Sequence, residues 1–401
     1  MAHWWRRRSL TGFLVALALA VLLLVSWGRQ GQLVWSQTPP KPVTALSIEP
    51  YFYSAQFAQG EAMLRERLKQ TPTDDQARFG LGMMQLMAGV ERLSQSLYRY
   101  GLRHNWLTEI FPILRLPIPN NNRPETLSYQ AVGEILQTWL TDLTAVQATL
   151  EPIVDSTVKL PLRLGAFRLD INNDGRVTDN ESFRRLFEVI TRSRVSDADA
   201  RAFQISFDYG DVLWLRGYCH LLSAIAEIVL AHDGRKLFDA TAHLFFAKPE
   251  SPYPFLQQRG GPFEFTSDFN FSDLVAFVHL LQFPVVEPAR LGSALNHLQA
   301  TLSLSRQSWQ AISKETDNDS EWLPNPRQTG VVPGVRVTQE MIDGWLQFVT
   351  EAEQLLAGKV LAPFWRGDQR NTAQGVNLNR LFTDPCPVDV VLWIQGSAAA
   401  P

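Results

Sequence analysis

The chain has 401 residues, with 37 basic and 40 acidic side chains, a net charge of −3 and 45% hydrophobic residues. This composition is ordinary for a globular protein and excludes a collagenous or largely disordered chain. The charge is near neutral and no basic patch is interleaved with aromatics, which argues against nucleic-acid binding.

The amino terminus places Arg6, Arg7 and Arg8 before an apolar run from Leu10 to Trp27. A basic flank followed by a long apolar segment has the pattern of an export signal. The run is just long enough to span a bilayer, and the arginines would hold its start in the cytoplasm. No A-x-A cleavage site follows it. We therefore read residues 1–27 as an uncleaved signal-anchor, with the body outside the cytoplasm, periplasmic or extracellular. Cleavage after Gly28 or Ser36, giving a secreted protein, is the alternative. Residues 28–48 are polar and contain Pro39, Pro40 and Pro42, as a semi-rigid tether would. The remaining body of about 350 residues is long enough for two packed subdomains, which we divide at 49–155 and 156–401.

Apolar periodicity near 3.6 dominates this body and predicts a mainly α fold with a small β element. Helices are expected over 50–70 and 74–101. Phe57, Gly60, Leu64 and Pro72 precede Leu81, Gly82, Gly89, Ser94, Tyr98 and Gly101 in one 34-residue register. This pattern over about 56–101 resembles tetratricopeptide repeats, although Arg78 stands where an early aromatic belongs. The resemblance implies a helical hairpin that packs on its neighbours and presents a surface to a protein partner. Further helices are expected over 125–150, 212–231 with Asp211 as N-cap, 235–246, 274–283, 288–316 and 339–360. Residues 248–272 form a long aromatic-rich loop, whose rings would pin it to the core. Residues 375–382 and 387–394 are rich in β-formers. They are expected to pair with each other or with 162–169, which looks extended.

The most specific stretch is 170–181, D-I-N-N-D-G-R-V-T-D-N-E. A short loop wraps a hard cation when alternate side chains bring oxygens inward and the backbone turns sharply at its middle. Asp170, Asn172 and Asp174 supply the first oxygens, and Gly175 the turn. Arg176 would offer its carbonyl, and Thr178 its hydroxyl directly or through water. Glu181 is long enough to clamp with both oxygens, and Val177 would anchor the loop to the core. The pattern resembles the EF-hand loop, which implies Ca2+ as the ligand. The departures are Ser182 after the closing glutamate and an incoming segment that is extended. They suggest a strand-loop-helix site, with a helix over 181–192. Arg168, Arg176, Arg184 and Arg185 surround the loop and should weaken affinity. No second such loop occurs. Residues 317–321 (D-N-D-S-E) put Trp322 where the glycine should be and read as a solvated acidic loop.

These features favour a membrane-tethered, non-catalytic scaffold braced by one structural Ca2+. The alternative is an exported hydrolase with a site between helices 212–246 and loop 248–272. Polar residues concentrate there: His220, Glu227, His232, Asp233, Asp239 and His243. Asp239 and His243 would share a helix face, but most such histidines are simply hydrogen-bonded at helix surfaces. Cys219 and Cys386 are the only cysteines. Cys219 reads as a buried thiol, with a disulfide between the two as the alternative.

Overall fold

The structure is a computed structural model and describes residues 48–105, 108, 116, 118–184, 196–257, 264–266, 269–280, 284–331, 336–362 and 375–386. The expected anchor, the tether up to residue 47 and most of the helix expected over 181–192 lie outside the described residues.

The mainly α reading holds. The single helix expected over 50–70 is two, α1 (Glu49–Tyr53) and α2 (Phe57–Gln70). Ala55 between them has φ +52° and reverses the chain, so that Phe52 and Phe57 meet edge-on with ring centroids 6.1 Å apart. Asp74 caps α3 (Asp75–Arg99) by accepting the Ala77 amide, and Ser128 caps α4 (Tyr129–Leu150) in the same way.

Helices α2, α3 and α4 pack as successive neighbours. Small residues set their spacing. A Cβ at Gly82 would drive into the Leu150 side chain. Near the other end of the pair, Arg92 reaches Asp142 at 2.6 Å, so α3 and α4 run antiparallel. Gly82→Val overpacks this crossing, and we expect it to destabilise the fold by about 1–3 kcal/mol. A melting curve that overlays the parent's would disprove that close approach.

After α4, β1 (Lys159–Leu162) pairs antiparallel with β2 (Ile205–Asp208), from Lys159↔Asp208 to Leu162↔Ile205. The short α5 (Asp197–Ala202) immediately precedes β2. The small sheet is therefore built from mid-chain strands rather than from the carboxy-terminal segments. Of those segments, Val376 makes one bridge to Ala362, and 380–383 is helical. Residues 387–394 lie outside the described residues. The choice follows burial, because Leu160, Leu162, Ile205 and Phe207 are all buried in the sheet.

The N-cap of α6 (Tyr209–Ala231) is Asp208, and Asp211 is its partner in a reciprocal capping box. Two aspartates flanking Gly210 are both able to cap, and the strand ending at Asp208 decides which does. The expected helix 235–246 is shorter, α7 (Arg235–Thr241), and runs into a 3-10 turn. A two-stranded ribbon of β3 (Glu264–Thr266) and β4 (Phe269–Asn270) leads to α8 (Phe271–His279). Then follow α9 (Pro288–Ile312), α10 (Gln339–Leu356) and α11 (Arg380–Thr383).

Helix α9 packs antiparallel along most of α6, with Ser308 donating to the Gly210 carbonyl and Thr301 to that of Gly217. Among the described residues, α6 is the one helix long and apolar enough to cross a membrane. It also packs against both α4 and α9. One continuous apolar core runs from Ile48 to Cys219 and crosses residue 155 without a break.

Candidate metal centre

The calcium-like loop is tied to the fold at both ends. The Leu169 amide donates to the Glu181 carbonyl at 3.0 Å, and the Phe183 amide to that of Phe167 at 2.9 Å. Arg168 and Ser182 form an antiparallel bridge. Phe167 is fully buried and stacks on Phe52 at 4.3 Å. The core anchors of the loop are Leu169 and Ile171, both buried, whereas Val177 is only half-buried.

The loop's side-chain oxygens accept its own amides. Asp170 accepts from the Asp174 and Gly175 amides through separate carboxylate oxygens, at 3.1 and 2.9 Å. Asn172 Oδ1 also accepts from the Asp174 amide, at 3.0 Å, and Asp174 accepts from the Arg176 amide at 2.8 Å. Asn173 and Gly175 take φ +56° and +77°, which closes the turn. Glu181 is only 3% exposed. Its Oε1 accepts from the Ile171 amide, and its Oε2 accepts both the amide and the hydroxyl of Thr178. Thr178 is thus engaged in orienting Glu181. Arg168 pairs with Asp179 at 2.8 Å, outside the proposed ligand set.

Three carboxylates and a carboxamide oxygen within one 12-residue loop are the donor chemistry of a hard cation. The Asp170 and Asp174 oxygens each accept one N–H and keep a second lone pair, whereas each Glu181 oxygen accepts two donors, Oε1 also taking the Asn172 amide.

Helix α3 supports this loop with two residues that its sequence does not announce. Glu91 accepts the Asp170 amide at 2.7 Å, and Gln95 donates to the Asp170 carbonyl at 2.8 Å. Burial, reinforced by the charges of Asp170 and Glu181, pushes the Glu91 carboxyl up to about 7. Residues 79 and 75 positions away on a helix carry no spacing signal, so only the fold reveals them.

A second acidic cluster was not expected. Asp208, Glu315 and Glu321 bring carboxylate oxygens within 4.8 Å of one another, with Asp211 buried beside them. The segment 317–321 is therefore not simply solvated. Glu321 is 2% exposed and accepts the Asp319 amide, while Asp317 and Asp319 both bind Lys159. Burial raises all four carboxyls, and repulsion adds to it at Asp211, Glu315 and Glu321 while hydrogen bonds and Lys159 offset it at Asp208: Glu315 rises to about 8 and Glu321 to about 7, with Asp208 also raised and Asp211 well above its usual range. Asp208 and Glu315 hydrogen-bond to each other side chain to side chain. A shared proton satisfies such a contact without a cation.

The histidine-rich helices do not converge on one centre. His220 meets His297, Glu227 pairs with Arg290 at 2.9 Å, and Asp239 accepts Ser251 through its carbonyl. His243 lies in the 3-10 turn after α7, so it does not share a regular helix face with Asp239. It instead approaches Asp273 at 3.5 Å. His232 Nδ1 contacts the Ile228 carbonyl, and Asp233 accepts the Arg235 amide. In loop 248–272, Tyr253 and Phe255 are exposed rather than pinned to the core.

Both cysteines are free, Cys219 buried and Cys386 exposed, and burial pushes the Cys219 thiol up to about 12. In a native thiol titration Cys386 alone is expected to react, with Cys219 appearing only on unfolding. Rapid labelling of both would contradict this burial.

No family model, no curated protein and no solved structure matches this chain.

Proposed function

We propose that the protein is a membrane-tethered, extracytoplasmic, non-catalytic scaffold whose helical body is braced by one Ca2+ at 170–181. The observation that carries this reading is the buried Glu181, whose carboxylate accepts the Ile171, Asn172 and Thr178 amides within the loop that also holds Asp170, Asn172 and Asp174 and is fixed to α3 and to Phe52. The ligands in this reading are Asp170, Asn172, Asp174, the Arg176 carbonyl and Glu181, with Thr178 holding the clamp. An ion there would tie the amino-terminal helices to the β1–β2 region, which suits a permanent brace better than a switch. The tether and the export address rest on Arg6–Arg8 and the Leu10–Trp27 run.

A partner at the α2–α3 hairpin would meet charge rather than an apolar groove. Over 49–101 no large apolar side chain is exposed, and the outer face of α2 carries the Arg65–Glu61 and Lys69–Glu66 pairs.

The test is thermal melting of the full chain in Ca2+ and in chelator. A structural site predicts a melting temperature that rises with Ca2+ concentration, and a rise that Asp170→Ala removes. Identical melts in Ca2+ and chelator would sink the proposal.

A further inference from the structure

The acidic cluster at the end of β2 joins a fixed part of the fold to a looser one. Asp208 and Asp211 are locked in the capping box of α6, and Glu315 follows the end of α9. Glu321 instead belongs to segment 317–331, whose regular structure is a single bridge between Glu321 and Gly330. It is nevertheless buried, and it brings an oxygen within 4.8 Å of the Asp208 and Glu315 carboxylates. We propose that Glu321 is a proton-operated latch. It holds segment 317–331 against the β1–β2 sheet while the cluster shares protons, and the segment opens once those protons are lost.

Charge makes the closed position conditional. Three carboxylates this close repel when all are ionised, and a shared proton turns the repulsion into a hydrogen bond. Asp208 and Glu315 already make such a contact. Asp211 adds a fourth acid from α6, and Asp317 adds another from the segment itself. Lys159 on β1 faces the cluster, but its ammonium is taken up by Asp317 and Asp319. Arg327 donates to the carbonyls of Ser313 and Glu315, at 3.1 and 3.0 Å, and Lys314 is exposed. Burial, reinforced by repulsion, lifts Glu315 to about 8 and Glu321 to about 7. The protons therefore leave between neutral and mildly alkaline pH.

The segment gives way rather than the helices. The Ser320 carbonyl accepts the Ser206 amide at 3.3 Å, and the Glu321 carbonyl accepts the Val331 amide at 2.9 Å. The Glu321 carboxylate accepts the Asp319 amide at 2.8 Å. Ser320 takes φ +68°, a backbone that a serine adopts only under constraint. Trp322 lies edge-on to Trp214 at 5.9 Å, yet its buried Nε1 finds no acceptor among the described residues. Opening relieves that cost. Lys159 keeps Asp317 and Asp319 in place, and Asn325 stays bonded to the Ile312 carbonyl. The motion is thus confined to the stretch around Glu321.

The experiment is hydrogen exchange of the full chain at pH 6 and pH 9 in chelator, each rate divided by its intrinsic base-catalysed rate. The Asp319 and Val331 amides both donate to Glu321 and report the latch. Helices α3 and α4 report unfolding of the whole body. One proton lost from a group at about 7 weakens the closed state about 10-fold over that interval. We expect protection over 317–331 to fall by at least about 10-fold, to below that of α3 and α4 at pH 9. Glu321→Gln is neutral at both pH values and should keep its protection. Circular dichroism checks that this variant folds, and if it does not, the parent decides. A pH-dependent loss that leaves the segment less protected than α3 and α4 supports the latch. Protection that does not change with pH overturns it. So does a segment exchanging no faster than those helices at pH 9, or an equal loss in folded Glu321→Gln. Chelator removes Ca2+ throughout, so failure here leaves the brace intact.

Discussion

Glu181→Ala is expected to destabilise the fold by about 3–5 kcal/mol even in chelator, and to abolish any response to Ca2+. Two effects act at that position. Glu181 is buried and accepts from the amides of Ile171 and Thr178 and from the Thr178 hydroxyl. Alanine leaves those donors without a partner inside the protein, at about 1–3 kcal/mol for each that water does not reach. The same change removes the clamp that would hold the ion. Glu181→Gln separates the two effects, since it keeps size and one acceptor oxygen while losing the charge. It should melt closer to the parent in chelator and still fail to respond to Ca2+. Asp170→Ala sits on a more open part of the loop, so its apo cost should be smaller. Urea unfolding of the three variants, with and without Ca2+, gives the comparison. If Glu181→Ala matched the parent in chelator, the buried hydrogen-bond network around the clamp would be refuted.

The second large expected effect is a melting temperature that falls as pH rises from about 6 to about 8.5, by several degrees. Ordinary surface carboxylates are already ionised over that range and contribute no such slope. The cluster of Asp208, Asp211, Glu315 and Glu321 does, with Glu91 adding to it, because these carboxyls hold protons in the fold. A group whose folded pKa lies above its unfolded value binds protons preferentially when folded. Its stabilisation is complete below the unfolded pKa and is lost as pH climbs through the folded one. For Glu321 and Glu315 that loss falls near pH 7 and 8. His220 titrates below this window, since burial lowers it to about 4, and burial lowers His297 as well. Glu315→Gln mimics the protonated acid and should flatten the slope, giving its largest gain over the parent at high pH. Differential scanning calorimetry across the range measures it. A Glu315→Gln profile parallel to the parent's would mean that the cluster is ionised throughout.

Much of the helical layout was readable from periodicity. Helices α3, α4, α6, α9 and α10 begin and end within a few residues of the apolar pattern, because each buries one stripe and exposes the other. The errors came where local chemistry offered two equivalent answers. Asp208 and Asp211 both can cap α6. Residues 162–169, expected to be extended, contribute only Leu162 to the strand Lys159–Leu162, and Leu164–Ala166 is a 3-10 turn. The break at Ala55 has no glycine or proline to announce it, and the meeting of Phe52 with Phe57 and Phe167 decides it. The candidate loop was legible for the opposite reason: its donors are adjacent in the chain, so their spacing alone states the geometry.

The sequence by itself determined the helical class, the turn at Gly175 and the run of oxygens from Asp170 to Glu181, all of which depend on residues within a turn or two of each other. The tertiary structure alone decided that Glu91 and Gln95 carry the loop, that Asp208 meets Glu315 and Glu321, and that His220 faces His297. Those contacts join residues more than 70 positions apart. Their partners are chosen by helix packing and strand pairing, and no spacing rule along the chain records that choice.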